Sequence, residues 1–204
     1  MKRIGVFGGT FDPVHYGHIY LARQAVTECG LDHLFVTPAA AQPFKQEQTC
    51  AAGRHRFNMA VIAFEDDERI SVSDIELKKD GVSYTIDTLK EMRAGYGKEA
   101  EIFFILGADA FLKIERWKDA DELLKGFSFI VGTRPGYRQE ELFELTERLN
   151  KIYNNNIMKI NNKQTDVSST EIKQAINSGG GLLRLLPPGV ERYIDSNGLY
   201  RELH

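Results

Sequence analysis

Cysteine is scarce in this 204-residue chain: Cys29 and Cys50 are its only two, and they form no C-x-x-C pair. That argues against a disulfide scaffold and a zinc ribbon, and leaves Cys29, on an apolar helical stripe, as a small buried thiol. No eighteen apolar residues run together, and the N-terminus opens on a charged pair and a strand, without the apolar region of a signal peptide. A membrane partner is therefore not expected, and the protein is placed in the cytoplasm. Lys and Arg total 26 against 29 Asp and Glu, a net charge of -3, and the basic residues are not gathered into a block. A nucleic-acid partner has no electrostatic footprint here, which favours a small ligand. Two common phosphate motifs are also missing, the Gly-Lys-Ser/Thr of a P-loop and G-x-G-x-x-G. The second expected strand ends in Thr37-Pro38, where a dinucleotide-binding ribose site wants an acidic residue, so a redox Rossmann enzyme is disfavoured.

What the chain does have is alternation. Strand patterns at 3–7, 33–37, 70–75, 102–106, 127–132 and 157–160 are interleaved with helical patterns at 17–29, 53–64, 86–95, 109–125 and 139–150. This predicts an α/β fold: a Rossmann-like, doubly wound parallel sheet with helices on both faces. Runs such as Ile102-Phe103-Phe104-Ile105-Leu106 lack polar alternation, which fits strands buried on both sides. With 42% apolar residues, 1–204 reads as a single domain, and 165–204 as a small C-terminal helical appendage. Ligands of such sheets bind beyond the carboxyl ends of the strands, so the residues just past each strand are the candidates.

The most informative of these segments is Gly8-Gly9-Thr10-Phe11-Asp12-Pro13-Val14-His15-Tyr16-Gly17-His18. A strand, Ile4 to Phe7, precedes it and an amphipathic helix comes after, with Ile19, Ala22, Val26 and Cys29 on one face. Glycines let the backbone approach a ligand closely, and the first helical turn offers N–H groups to an anion. His15 and His18, three residues apart, point the same way. Zinc at these histidines lacks a third ligand at metal-site spacing, so no protein-held metal is expected. Asp12 has two open roles, positioning a histidine or a metal-bound water, or stabilising the turn as an Asx residue.

Other candidates also lie just past strands. Residues 38–52 form a long connection without period, in which Lys45 is the useful charge, and Thr133-Arg134 come after the fifth strand. Near the end, Ser168 with Glu171 matches a capping box. Ser168-Ser169-Thr170 at that helix start make a second anion site, with Lys173 one turn further along.

These residues resemble the nucleotidylyltransferases that carry G-x-F-D-x-x-H-x-G-H. Within that superfamily they are most similar to the bacterial nicotinate mononucleotide adenylyltransferase family, a likeness carried further by Gly81-Val82-Ser83-Tyr84-Thr85-Ile86-Asp87-Thr88-Leu89, Gly107-Ala108-Asp109, Trp117-Lys118, Arg134-Pro135-Gly136 and Ser168-Ser169-Thr170. The resemblance implies transfer of the adenylyl group of ATP to nicotinate mononucleotide, with release of pyrophosphate and Mg²⁺ carried on the ATP phosphates. It implies catalytic roles for His15, His18, Lys45 and Lys173, and an ATP cradle of Gly8, Gly9, Thr10, Phe11, His15, His18, Ser168, Ser169, Thr170 and Arg134. Tyr84, Thr85, Asp109 and Trp117 then face the pyridine nucleotide, Trp117 stacking on its ring. The chain departs from the family pattern at Phe44, where histidine is usual, and at Lys173, where arginine is usual. The alternatives are another nucleotidylyltransferase, acting on phosphopantetheine or with CTP, and a nucleotide-binding regulator without chemistry. Oligomeric state is open, a homo-oligomer included.

Overall fold

The computed structural model describes residues 1–40, 51–79, 81–97, 99–133, 138–161, 167–178 and 185–201. Six strands, β1 (Lys2–Gly9), β2 (His33–Pro38), β3 (Ile70–Val72), β4 (Ala100–Gly107), β5 (Ser128–Thr133) and β6 (Ile157–Asn161), form one sheet in the order β3-β2-β1-β4-β5-β6. Every pairing is parallel. The helices are α1 (Tyr16–Glu28), α2 (Gly53–Phe64), α3 (Thr85–Tyr96), α4 (Ala108–Phe111), α5 (Ala120–Gly126), α6 (Gln139–Tyr153), α7 (Ser169–Asn177) and α8 (Pro188–Ser196). A 3-10 turn at Ile114–Arg116 separates α4 from α5.

The expected doubly wound sheet is thus observed, with a shorter third strand. The third strand stops at Val72 instead of reaching residue 75: the Ser73 amide still bonds to Val36, but the Ser73 hydroxyl then accepts the Ile75 amide and turns the chain away. The helices expected across 109–125 are α4 and α5, with the 3-10 turn between them.

Residues along β4 explain why the sheet needs cover on both sides. Phe103 and Ile105 enter one core with Phe7, Leu34 and Ile130, under α1, α2, α7 and α8. Ile102, Phe104 and Leu106 enter the other with Ile4, Val6 and Phe129, under α3 to α6. Successive strand residues face opposite sides, so an unbroken apolar run signals two buried faces. The chain switches faces between β1 and β4, and the crevice expected at that switch lies outside their carboxyl ends.

Gly8 sits at this point for a packing reason. A Cβ there would stand 2.9 Å from the Phe104 ring, which itself lies edge-on to Trp117 at 6.0 Å. Gly8→Ala should therefore lower stability by about 1–3 kcal/mol through overpacking, as read by urea denaturation. An unchanged midpoint would show that Phe104 yields freely.

Candidate active site

Beyond Gly9 the chain leaves the sheet and does not become helical until Tyr16, so its backbone polar groups need partners from elsewhere. The Gly9 carbonyl accepts from Ala39 N–H at 2.9 Å, and the Thr10 carbonyl from Arg56 Nη1 at 2.9 Å. The Pro13 carbonyl accepts from the Ser169 hydroxyl at 3.1 Å, and the Tyr16 amide donates to the Leu185 carbonyl at 3.2 Å. Four distant segments are thereby fastened to one turn.

His15 is the N-cap residue of α1, with extended backbone, and is 6% exposed. Its amide donates to His18 Nδ1 at 3.3 Å, so neutral His18 carries its proton on Nε2. The two imidazoles stack with centroids 3.8 Å apart. Phe11, held at φ 50°, sets its ring edge-on to His18 at 5.0 Å and to Phe7 at 5.2 Å. Packing thus restrains the orientation of His18.

Asp12, 4% exposed, bonds to groups distant in sequence instead of bracing its own turn as an Asx residue. Its Oδ1 accepts from the Ala51 amide at 3.0 Å and the Tyr200 hydroxyl at 2.6 Å, while its Oδ2 receives the Lys173 ammonium. The capping box at α7 is present: the Ser168 hydroxyl accepts the Glu171 amide, and the Glu171 carboxylate accepts from the Ser168 amide. Together with the Ser169 bond to Pro13, these contacts seat the Ser168-Ser169-Thr170 turn against the β1–α1 loop; Thr170 is exposed. Thr133, by contrast, spends its hydroxyl on the Ile160 carbonyl within the sheet. Lys45 and Arg134 lie outside the described residues.

The segments expected at the pyridine end also meet. Tyr84 caps α3, Thr85 begins it, and Lys118 bridges to Asp87 at 3.0 Å with its ammonium 4.4 Å from the Tyr84 ring centroid. Trp117 and Tyr84 are partly buried against the same core. Asp109 stands exposed at the start of α4, directly beyond β4.

Two supporting residues are not evident from sequence. Arg56 is 3% exposed, and its guanidinium donates to the carbonyls of Ala51 and Thr10 at 2.9 Å and of Ala40 at 3.2 Å. The available signal was a charge on the same stripe of α2 as the buried Met59, Ala60 and Ala63. Glu76, 6% exposed, accepts hydrogen bonds from Thr88 at 2.9 Å and from Ser83, whose oxygen in turn accepts the Ala40 amide at 3.2 Å. Burial pushes the Glu76 carboxyl up, against the opposing effects of those hydroxyls and of the Lys79 and Arg56 charges. Arg56 and Glu76 therefore join the phosphate-side and pyridine-side loops.

An N-terminal helix turn with two oriented imidazoles, at the switch point of a doubly wound sheet, defines the class: a nucleotide-binding nucleotidyltransferase. The chain belongs to the cytidylyltransferase-like family, whose sequence model matches residues 6–175, and within it to the nicotinate-nucleotide adenylyltransferases. The probable nicotinate-nucleotide adenylyltransferase of Thermoanaerobacter sp. (strain X514) is 40% identical over 200 residues, covering 98% of this chain and 95% of the relative. That of Moorella thermoacetica (strain ATCC 39073 / JCM 9320) is 39% identical over 199 residues, covering 98% and 92%. Among solved structures, the Plasmodium falciparum nicotinic acid mononucleotide adenylyltransferase complexed with NaAD superposes with a TM-score of 0.81, covering 98% of each chain. At 20% identity that likeness speaks to the fold alone.

Glu76 gives the stability of this site a testable pH dependence. A carboxyl whose folded pKa is raised contributes stability that is full below its unfolded value and is lost as pH rises through the folded one. The stability of wild type relative to Glu76→Gln should therefore decline as pH rises above about 4.5, the unperturbed glutamate value. Urea unfolding across a pH series checks this; a constant difference refutes it.

Proposed function

We propose that the enzyme transfers the adenylyl group of ATP to nicotinate mononucleotide, yielding nicotinate adenine dinucleotide and pyrophosphate in NAD biosynthesis. The observation that carries this reading is the meeting of the α1 and α7 starts, through Ser169 and Pro13, beside the stacked His15 and His18. Full-length relatives at 33–40% identity bearing the name nicotinate-nucleotide adenylyltransferase support the choice of acceptor.

A phosphate oxygen of nicotinate mononucleotide attacks the α-phosphorus of ATP; that P–O bond forms as the bond to the β-phosphate bridging oxygen breaks, and the electron pair leaves on pyrophosphate. The attacking oxygen is already anionic, so no activated side-chain nucleophile is needed. Alignment and charge stabilisation suffice. The Nε2–H tautomer suits His18 to donate to an α-phosphoryl oxygen, with His15 beside it. Gly8, Gly9, Thr10 and Phe11 supply the close backbone wall, Ser168, Ser169 and Thr170 a second helix start, and Lys45, Lys173 and Arg134 positive charge. Mg²⁺ enters with ATP as part of the substrate. Mg²⁺ keeps much of its water and binds phosphate oxygens, so these would supply most of its ligands.

At the other end, the free N–H groups at the start of α3, beside Tyr84 and Thr85, suit the nicotinate carboxylate better than a neutral amide. Trp117 offers an aromatic face to the ring, and Asp109 takes ribose hydroxyls. Residues 1–204 act as one nucleotidylyltransferase unit, with 165–204 its C-terminal helical part; the Ser169 and Tyr200 contacts support that grouping. Among the described residues no helix is long and apolar enough to cross a membrane, and a cytoplasmic location accords with substrates of this kind.

A pyrophosphate-release assay with ATP, Mg²⁺ and, in turn, nicotinate mononucleotide, nicotinamide mononucleotide and phosphopantetheine should show fastest turnover with the first. Faster turnover with either of the others would replace the acceptor. His18→Ala should lower kcat roughly 10²–10³-fold with binding of nicotinate mononucleotide retained, as loss of one transition-state donor does. Trp117→Ala should weaken nicotinate mononucleotide binding by roughly 1–3 kcal/mol and leave ATP binding intact. Equal losses for both ligands would make Trp117 a packing residue.

A further inference from the structure

The C-terminal segment reads in the sequence as a packing appendage, and α8 does pack: Val190 and Ile194 are buried in the core it shares with α1 and α2. The short segment beyond α8 has a different character. The helix ends in a Schellman turn, in which the Gly198 amide bonds to the Asp195 carbonyl at 3.2 Å and the Leu199 amide to the Ile194 carbonyl at 3.1 Å, with Gly198 at φ 60°. Tyr200 comes next but one, at φ 63°, a left-handed conformation that disfavours a bulky side chain by about 1–2 kcal/mol. This turn brings the Tyr200 hydroxyl to Asp12 Oδ1 at 2.6 Å.

Asp12 is the first charged residue of the Gly8-to-His18 motif, and its carboxylate is buried. Its Oδ1 is held by two donors, Tyr200 and the Ala51 amide, and this holds Oδ2 toward α7, where it meets the Lys173 ammonium. The Lys173 ammonium also lies 5.3 Å from the Tyr200 ring centroid. An ammonium is a mobile point charge on a four-carbon stem, so its position depends on what fixes it. Here an acidic residue 161 positions away and a tyrosine beyond the last helix do so.

We propose that Tyr200 is a positioning residue for the ATP end of the site. Acting through Asp12, its hydroxyl sets where the Lys173 ammonium stands relative to the triphosphate. This rests on the adenylyl-transfer reading for the identity of the ligand, and assigns the C-terminal segment a part in nucleotide affinity as well as in packing.

Tyr200→Phe isolates the hydroxyl, because it keeps the ring and its contact with Lys173. Loss of one hydrogen bond to a charged group should raise the KM for ATP, and the Kd for α,β-methylene-ATP, about 5–10-fold. The KM for nicotinate mononucleotide should stay at the wild-type value. In a Lys173→Ala background, which itself weakens ATP binding, the same substitution should add nothing, since both act through one carboxylate. Unchanged ATP constants with a lower melting temperature would overturn the proposal in favour of a purely structural tyrosine, and additive losses in the double variant would overturn it as well. The analogue Kd needs no turnover. A wild-type protein that binds the analogue but releases no pyrophosphate with nicotinate mononucleotide would therefore sink the acceptor assignment alone.

Discussion

The organising constraint of this molecule is the stretch of irregular backbone between β1 and α1. Such a segment, buried at the end of a central strand, must have its carbonyl and amide groups satisfied, because each one left unpaired costs about 1–3 kcal/mol. Neither the sheet nor the helix can supply the partners. They come from the residue after β2, from α2, from the first turn of α7 and from the approach to α8. The same bonds bring together the groups proposed to surround the nucleotide, so the solution to a folding problem also assembles the candidate site.

The sheet divides the consequences. Phe7, Phe11 and Ile172 pack on one side and Phe104, Tyr84 and Trp117 on the other, so the two ends of the site rest on separate cores. Their link is polar. Arg56 reaches the Thr10, Ala40 and Ala51 carbonyls, and Glu76 reaches Ala40 through Ser83 and α3 through Thr88. Buried charged groups of this kind contribute less to net stability than to fixing the relative position of what they touch, because desolvation offsets much of the gain from their hydrogen bonds.

Much of this arrangement was legible in the sequence. Strand and helix patterns pointed to the doubly wound sheet, since an unbroken apolar run such as Ile102 to Leu106 has few other uses. The strand-turn-helix motif located His15 and His18, and the Ser168 capping box located the start of α7. What could not be read were bonds from side chains to distant backbone. Arg56 stood out only as a charge on an apolar stripe, and Glu76 carried no periodic signal. Lys173 was placed one turn into its helix by spacing, but its partner is Asp12, near the other end of the chain. Tyr200 belongs to no helix or strand, so neither periodicity nor propensity marks it.

The pairing of residue 12 with residue 200 also orders events in time. Tyr84, Phe104 and Trp117 lie within a few dozen positions of one another, and contacts that close short loops form early. The carboxylate of Asp12 receives its tyrosine only after residue 200 has been made, because chains emerge N-terminus first. A ribosome-bound intermediate can therefore carry a packed Tyr84, Phe104 and Trp117 while the buried carboxylate still lacks one of its donors.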